Sequence, residues 1–297
     1  MSKPNMPAME HNAAATSERT SLLPDLRVLP LTALIPHEHV DAQRLAPLMQ
    51  RLREEDVLRN PPIVAPLEAN PPRFVVLDGA NRVAALMAMG VPHVVAQVVD
   101  YAAVELHVWH HALIRCEMPP LLNALHTLAA LAIEPSDWLA ARAALARREA
   151  LALLLTREAH DTNACFVLSG GHNLRARTEL LNRVVALCAS QAEIQRTISD
   201  DLSEVRRAFP EATGLMVFPR YEPAEIMDLA RSGVRLPPGI TRHVLPLRVL
   251  HLDYPLALLR SAEPIAHKQA QLTAWLQARF AQRRVRTYAE PTMLFDE

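Results

Sequence analysis

The sequence predicts an α+β (α/β) protein in two parts, a small α/β unit at residues 25–103 and a larger helix-rich α/β domain at residues 104–297. The chain has 297 residues, half of them hydrophobic, which is enough to bury one sizeable core or two smaller ones, and the length favours two domains. Up to about residue 100, short apolar runs alternate with amphipathic stretches, as expected for a compact α/β unit. Beyond residue 102 the sequence changes to long segments rich in Ala, Leu and Arg, which favour helices.

The composition excludes several classes of partner. The formal net charge of −1, from 31 basic and 32 acidic residues, leaves no global field to hold nucleic acid or an anionic membrane. No apolar stretch of about 20 residues is free of charge, Pro or polar breaks, so no membrane span is predicted. Residues 1–24 are polar and lack the apolar run of a signal peptide, which predicts a disordered tail and a cytoplasmic protein. The cysteines are widely spaced and are interpreted as buried hydrophobic residues (Cys116, Cys165, Cys188).

The small unit is predicted to begin with an edge strand at residues 27–31, because Pro30 cannot donate to a ladder. Asp41 is placed to cap a helix whose apolar residues follow helical spacing up to Asp56. The next predicted elements are a hairpin of strands at 61–65 and 73–77, a helix ending at Gly90 and a strand at 94–99.

The larger part is predicted to be mainly helical. Predicted helices cover 102–115, 120–132, 135–155, 174–190, 223–232 and 264–282, and predicted strands lie at 164–168, at 215–218 and within 241–252. On the first of these helices, His107 and His111 would share a face and could ligate a metal. No supporting ligand motif accompanies them, so a helix surface or a domain interface is the favoured interpretation.

The junction between the strand at 73–77 and the following helix is a candidate anion site. A strand that ends in Asp78-Gly79 and enters a helix directly presents free backbone N–H groups at the positive end of the helix dipole. Asp78 could hold Mg²⁺ or a hydroxyl, and Arg82 on the first turn could reach phosphoryl oxygens. The same residues also fit an ordinary helix cap, a tight turn and a solvated arginine.

Two further segments could carry chemistry. Glu38 stands between two histidines in a predicted loop, which suits a general base or a metal partner, although a solvated polar loop has the same pattern. Thr241 and Arg242 follow a Pro-Pro-Gly turn, and their hydroxyl and guanidinium could recognise a carboxylate. Taken alone, that segment is also a plain entry into a strand.

Several of these segments recur in the same order in a known family. The segments Leu-Ile-Pro-His-Glu at 34–38, Asp-Gly-x-x-Arg at 78–82, Trp-His-His at 109–111 and Gly-Ile-Thr-Arg at 239–242 carry the likeness, together with the ending Tyr-Pro-Leu at 254–256. In this order the sequence resembles the ParB/sulfiredoxin-like free L-serine kinases, and among them the serine kinase of the staphyloferrin B siderophore cluster. The resemblance covers most of residues 27–280.

The resemblance implies an ATP-dependent kinase that phosphorylates free L-serine to O-phospho-L-serine with Mg²⁺, and it implies that the product is a precursor for siderophore biosynthesis. Some relatives use ADP as the phosphoryl donor. By the same resemblance, Glu38 would be the catalytic base and Asp78 the acidic residue of the family signature. The phosphates would be bound by Gly79, Ala80, Asn81 and Arg82. The substrate pocket would contain Trp109, His111, Thr241 and Arg242. One departure is Asn81, where the family usually has His, because Asn cannot carry charge or shuttle a proton.

Three other functions are compatible with parts of the sequence. A ParB-like nucleotide- or DNA-binding regulator is the main alternative, but no basic recognition helix is evident and DNA is an unlikely partner. Sulfiredoxin activity needs a cysteine in the phosphate turn, where this chain has Ala80. A non-catalytic domain that binds a nucleotide, haem or another partner is a further reading. The sequence leaves the oligomeric state open, and a homo-oligomer is compatible with it.

Overall fold

The computed structural model describes residues 24–157 and 163–288 and has the mixed α/β architecture that the sequence predicts. The predicted disordered tail lies outside the described residues except for Pro24. In chain order the first elements are β1 (Asp25–Pro30), β2 (Leu34–Pro36), α1 (Ala42–Glu55), β3 (Val57–Leu58), β4 (Ile63–Ala69), β5 (Pro72–Asp78), α2 (Ala80–Ala88) and β6 (His93–Val98).

These first strands form a five-stranded sheet in the order β1-β6-β4-β5-β2. The predicted hairpin is confirmed, since β4 and β5 pair antiparallel, and β2 lies parallel to β5. Pro30 lies on an edge strand, as predicted. Asp41 caps α1, because its side chain accepts a hydrogen bond from the amide of Gln43, and the helix ends at Asp56 in the left-handed region.

The following elements build a second sheet. They are β7 (Glu105–Val108), β8 (His110–Ile114), α3 (Met118–His126), β9 (Ala132–Ser136), α4 (Trp138–Ala146), β10 (Ala152–Arg157), β11 (Asn163–Ser169), α5 (Leu174–Gln191), β12 (Glu193–Thr197), α6 (Leu202–Ala208) and β13 (Ala212–Val217). Six of the strands form one sheet in the order β12-β8-β13-β10-β11-β9. The chain continues through α7 (Pro223–Ser232), β14 (Thr241–Val244), β15 (Tyr254–Pro255), α8 (Leu256–Arg260) and α9 (Ile265–Ala281).

The predicted helix at 102–115 is wrong, because these residues form β7 and β8. All five residues of β8 are buried between β12 and β13, and a short, fully buried strand lacks the alternation of polar and apolar residues that would distinguish it from a helix segment. His107 and His111 therefore do not share a helical face. The helix predicted at 135–155 is shorter than expected, since α4 ends at Ala146 and the chain continues as strand β10.

Two core clusters connect distant parts of the chain. One joins Val28 and Val95 of the first sheet to Tyr254 and Leu272 near the C-terminus. Another includes both Val75 of β5 and residues of the second sheet. The proposed boundary at residue 103 stays a prediction, and apolar contacts cross it. Within the residues the structure covers, no helix is long and apolar enough to cross a membrane.

A buried cation connects helix α9 to the end of α8 and to His93 of β6. Lys268 is fully buried, and its Nζ donates to the carbonyl oxygens of Leu259 and Ser261 at 2.6 and 2.7 Å. Nearby, Gln269 accepts a hydrogen bond from the amide of Val28 at 2.8 Å, on the free edge of β1. Lys268 thus stabilises the turn after α8 while α9 covers the sheet edge.

Replacing this cation should destabilise the fold. The substitution Lys268→Met keeps most of the aliphatic stem but removes the donor to a buried and to a part-buried carbonyl group, which should lower the free energy of unfolding by about 2–4 kcal/mol. Urea denaturation followed by circular dichroism measures this change. His267→Met, at the exposed neighbouring position, is the matched control. Equal stability of the two variants would contradict the assignment.

Candidate active site

The predicted site segments meet at one cavity of about 910 Å³. It lies between the β2–α1 connection, the β5–α2 junction and the segment that leads into β14. These three segments supply Glu38, Asp78, Gly79, Ala80, Asn81, Arg82, Thr241 and Arg242, and Trp109 completes this part of the wall. Of the predicted site residues, only His111 is not part of the cavity lining.

Glu38 is held rigidly at the cavity wall. Backbone pairing brings it there, because the amide of Leu236 donates to the carbonyl of His37 and the amide of His39 donates to the carbonyl of Leu236, each at 2.8 Å. The Glu38 carboxylate then accepts hydrogen bonds from the turn that follows Leu236. Its Oε1 accepts from the amides of Ile240 and Thr241 and from the Thr241 hydroxyl, at 3.2, 2.7 and 2.6 Å.

The second carboxylate oxygen of Glu38 is less occupied. Its Oε2 accepts only from the amide of Gly239, at 2.9 Å, among the contacts of the described residues. A carboxylate oxygen has two lone-pair positions, so one position on Oε2 remains for another donor. Glu38 therefore has a fixed orientation together with a free acceptor site, as a general base requires.

A buried histidine extends this network. The Nδ1 of His37 lies 2.5 Å from the carbonyl oxygen of Val76, so this nitrogen carries a proton that it donates to the carbonyl. Its Nε2 lies 2.7 Å from the Thr241 hydroxyl, whose single hydrogen is also within reach of Glu38. The Thr241 hydroxyl thus lies between the two side chains, and His37 holds the threonine that orients Glu38.

The β5–α2 junction has the geometry of an anion site. Gly79 adopts φ of 96°, in the left-handed region that glycine tolerates, and α2 begins at the next residue. The first backbone hydrogen bond back into the helix comes from Val83 to the carbonyl of Gly79. The preceding amides at the helix start have no intrahelical acceptor and lie at the positive end of the helix dipole. This arrangement suits phosphate oxygens.

Asp78 is paired with two arginines at the start of this turn. Its Oδ2 accepts from Arg82 at 3.2 Å and from Arg248 at 2.5 Å. Burial opposes ionisation, but the two guanidinium groups outweigh it and lower the pKa of Asp78 below its ordinary value. Asp78 is therefore an ionised carboxylate at neutral pH. Its other oxygen, Oδ1, accepts no hydrogen bond from the described residues and remains available to a ligand.

Arg82 and Asn81 contact neighbouring loops as well as the cavity. The guanidinium of Arg82 donates to the carbonyl oxygens of Asn60 and Pro61 at 2.7 and 3.1 Å, in addition to its bond with Asp78. Its main contacts therefore fix the loop before β4. The Oδ1 of Asn81 accepts from the amide of Asp41 at 3.0 Å, which ties the start of α1 to the start of α2. An amide oxygen suits this contact, and the Asn81 NH₂ group keeps its donor hydrogens.

The far wall is formed by Trp109 and the residues of β14. The amide of Trp109 donates to the carbonyl of Ile240 at 2.8 Å, and the guanidinium of Arg242 lies 5.2 Å from the centre of the Trp109 ring. His111 is buried, and its Nε2 donates to the carbonyl of Gly239 at 3.0 Å. It supports the turn that holds Glu38 and does not line the cavity, so its place in the substrate pocket stays a prediction.

Three buried histidines should make stability depend on pH. Burial lowers the pKa of His110 and His111 to about 4 and that of His243 to about 3, from an ordinary value of 6.5. Below pH 6.5 the unfolded chain takes up protons at these positions while the folded chain does not, so the free energy of unfolding falls as pH drops towards 4. At roughly 1.4 kcal/mol per pKa unit for each group, the loss amounts to several kcal/mol.

Urea unfolding at several pH values between 7 and 4.5 measures this dependence. His110→Asn keeps an acceptor for the amide of Phe218 and should flatten the dependence on pH. The exposed His172→Asn is the control and should behave like the wild type. An unchanged slope in His110→Asn would contradict the assignment.

Sequence reasoning missed several cavity residues. His37, His243 and Arg248 belong to the same network as Glu38 and Asp78, and Arg196 of β12 also lines the cavity. Because His37 is adjacent to Glu38, the prediction of Glu38 as a site residue could have indicated His37 as well. Arg196 and Arg248 have no local motif, and only the tertiary fold brings them to the site.

Known proteins that are similar in sequence to this chain are ATP-dependent L-serine kinases. The chain is 26% identical over 231 residues to the ATP-dependent L-serine kinase of Staphylothermus marinus, which covers 76% of this chain and 88% of that protein. It is 23% identical over 278 residues to the ATP-dependent L-serine kinase SbnI of Staphylococcus aureus, with 92% and 97% covered. No family model matches the chain.

Solved structures define the class to which the fold belongs. A free serine kinase mutant in complex with AMP superposes with a TM-score of 0.68 at 19% identity, covering 80% of this chain and 94% of that one. SbnI with a C-terminal truncation from Staphylococcus aureus gives a TM-score of 0.66 at 20% identity, with 86% and 97% covered. The fold is that of the free serine kinases. In sequence the chain is a homologue of the ATP-dependent L-serine kinases, which confirms the resemblance predicted from its motifs.

Proposed function

We propose that the cavity transfers the γ-phosphoryl group of ATP to the hydroxyl of free L-serine and releases O-phospho-L-serine and ADP. The observation that carries this proposal is the position of Glu38. Its carboxylate is fixed by hydrogen bonds from residues 239–241 and keeps one acceptor site free on Oε2. The same cavity contains the open amides at the start of α2. A base and a phosphate cradle in one cavity are what phosphoryl transfer to an alcohol needs.

In this mechanism the phosphates of the nucleotide bind the amides of Gly79, Ala80, Asn81 and Arg82. Arg82 acts mainly by holding Asp78 and the loop before β4, since its guanidinium donates to both. The dipole of α2 and the nearby Arg248 offset the negative charge that the phosphates bring.

The transfer forms one bond to the γ-phosphorus and breaks another. The serine hydroxyl donates its proton to Oε2 of Glu38 while its oxygen forms a bond to the γ-phosphorus. The bond between this phosphorus and the β–γ bridging oxygen breaks, and its electron pair leaves with ADP. Because Glu38 is already oriented by its hydrogen bonds, little reorganisation is needed at the moment of reaction.

Mg²⁺ fits this site as an ion that enters with the nucleotide. Among the described residues, no group of three or more His, Cys, Asp or Glu side chains could hold a metal by itself. Mg²⁺ bound to nucleotides commonly takes one protein carboxylate and several phosphate oxygens, and Asp78 offers its free Oδ1. When bound, the ion would neutralise charge on the phosphates.

The substrate wall and the biological setting complete the proposal. Trp109, Thr241 and Arg242 lie on the wall next to Glu38 and would contact the amino acid. The likeness to a serine kinase of a siderophore cluster supports a cytoplasmic enzyme that supplies phosphoserine to siderophore assembly. A DNA-binding regulator has no comparable support, since the relatives reported above are kinases.

Product analysis tests the proposal. Purified protein incubated with Mg²⁺, ATP and L-serine should form O-phosphoserine and ADP in equal amounts, as measured by mass spectrometry. Replacing ATP with ADP identifies the donor, and AMP would then be the second product. The absence of phosphoserine with both donors would rule out the proposed function.

A further inference from the structure

Arg196 of β12 is an unpaired cation in the cavity. Within residues 24–157 and 163–288 its guanidinium makes no hydrogen bond and no ion pair, although it lines the cavity. Most other arginines around the site have partners, for example Arg82 and Arg248 on Asp78. A guanidinium that faces a cavity without a counter-ion is suited to an anionic ligand.

Arg196 and Glu38 are both neighbours of Gly239. Arg196 pairs with His111 across strands β12 and β8, and His111 bonds to the carbonyl of Gly239. A Cβ atom at position 239 would overlap the Arg196 guanidinium, so only glycine lets the arginine lie against this turn. The amide of the same Gly239 donates to Oε2 of Glu38. The guanidinium therefore lies close to the oxygen that has the free acceptor site.

The electrostatic environment agrees with this position. Burial lowers the pKa of Arg196, and Glu38 opposes that effect as the first of the nearby charges. The guanidinium is thus partly removed from water but has no direct partner. An incoming carboxylate would gain a charge-assisted contact, and the cation would offset its repulsion by Glu38.

We propose that Arg196 binds the α-carboxylate of the amino acid and so selects hydroxy amino acids over simple alcohols and amides. This proposal rests on the function proposed above. If the serine hydroxyl occupies the free site of Glu38, two carbon atoms separate it from the carboxylate. In the proposed pose the carboxylate points to the side of Gly239, where the Arg196 guanidinium lies. Neither the motifs nor the resemblance identify this residue.

A change of substrate tests the contact directly. L-serinamide keeps the hydroxyl and the amino group of serine but replaces the carboxylate with a neutral amide. Wild-type protein should use L-serine with a kcat/KM about 100-fold higher than L-serinamide, because a charge-assisted bidentate contact is lost in the amide. Arg196→Gln should lower kcat/KM for L-serine by a similar factor, mainly through KM, and leave L-serinamide and the KM for ATP nearly unchanged.

Two further variants control for structural effects. Arg196→Lys keeps the charge and should retain part of the preference for L-serine, whereas Arg53→Gln changes an exposed arginine outside the cavity and should match the wild type. Thermal melting verifies that each variant is folded. Equal losses on L-serine and L-serinamide in Arg196→Gln would overturn the inference and point to a phosphoryl contact. A wild type without any serine turnover would instead refute the proposed function, and the inference with it.

Discussion

Glu38→Gln should reduce the kcat for serine phosphorylation by about 10²- to 10⁴-fold, the range expected when a general base is lost. The amide has almost the same shape as the carboxylate but cannot accept the hydroxyl proton. The KM for ATP should change little, because the nucleotide binds at the start of α2 on another wall of the cavity. Steady-state kinetics with both substrates varied separates these two effects.

The design of this experiment has to separate chemistry from structure. Glu38 accepts four hydrogen bonds from residues 239–241, and a Gln amide would place donor hydrogens against one of those donors. Thermal melting and ATP titration therefore accompany the kinetics. Glu54→Gln, on the exposed face of α1, is the matched control and should retain full activity. Near wild-type turnover in a folded Glu38→Gln protein would remove Glu38 from the role of base.

Asp78→Asn should lower kcat/KM for ATP by about 10- to 100-fold, the range found when a supporting carboxylate at a metal site is replaced. In the wild type, the guanidinium groups of Arg82 and Arg248 both donate to Oδ2 of Asp78, and a neutral amide cannot neutralise their charge. The amide is also a weaker ligand for Mg²⁺. The concentration of Mg²⁺ needed for half-maximal rate should rise as well. A magnesium titration at saturating L-serine measures this shift.

The control for this variant is an aspartate in an ordinary surface pair. Asp228 contacts Arg231 on the exposed side of α7, and Asp228→Asn should leave both the rate and the magnesium dependence unchanged. If Asp78→Asn also left both unchanged, then Asp78 would serve only to hold its two arginines, and the magnesium proposal would fail.

The sequence predicted the first sheet well because its signals are local. Asp41 as a helix cap, Pro30 at a sheet edge and Gly79 before α2 each depend on the chemistry of one or two residues. The wrong prediction of a helix at 102–115 has a different cause. Buried strand β8 lacks polar residues at alternate positions, so its pattern cannot be told from that of a helix without knowledge of its neighbours.

The site residues also divide into those with a local sequence pattern and those that only the tertiary fold brings together. Glu38 and the turn at 78–82 have local patterns, and their order along the chain allowed the family to be predicted. The contacts that fix Glu38 come from residues about 200 positions later, as the sequence separations of 201 to 203 show. Arg196 lies in a strand with no motif, and its approach depends on the missing side chain of Gly239. Only packing reveals such residues.

The most direct measurement of the central claim follows the phosphoryl group itself. Wild-type protein is mixed with L-serine and ATP that carries a radioactive label in the γ-phosphate, and the products are separated after a few turnovers. The label should be recovered in O-phospho-L-serine, with little in inorganic phosphate and none bound to the protein. Recovery of the label only in inorganic phosphate, or on the protein, would contradict direct transfer to the serine hydroxyl.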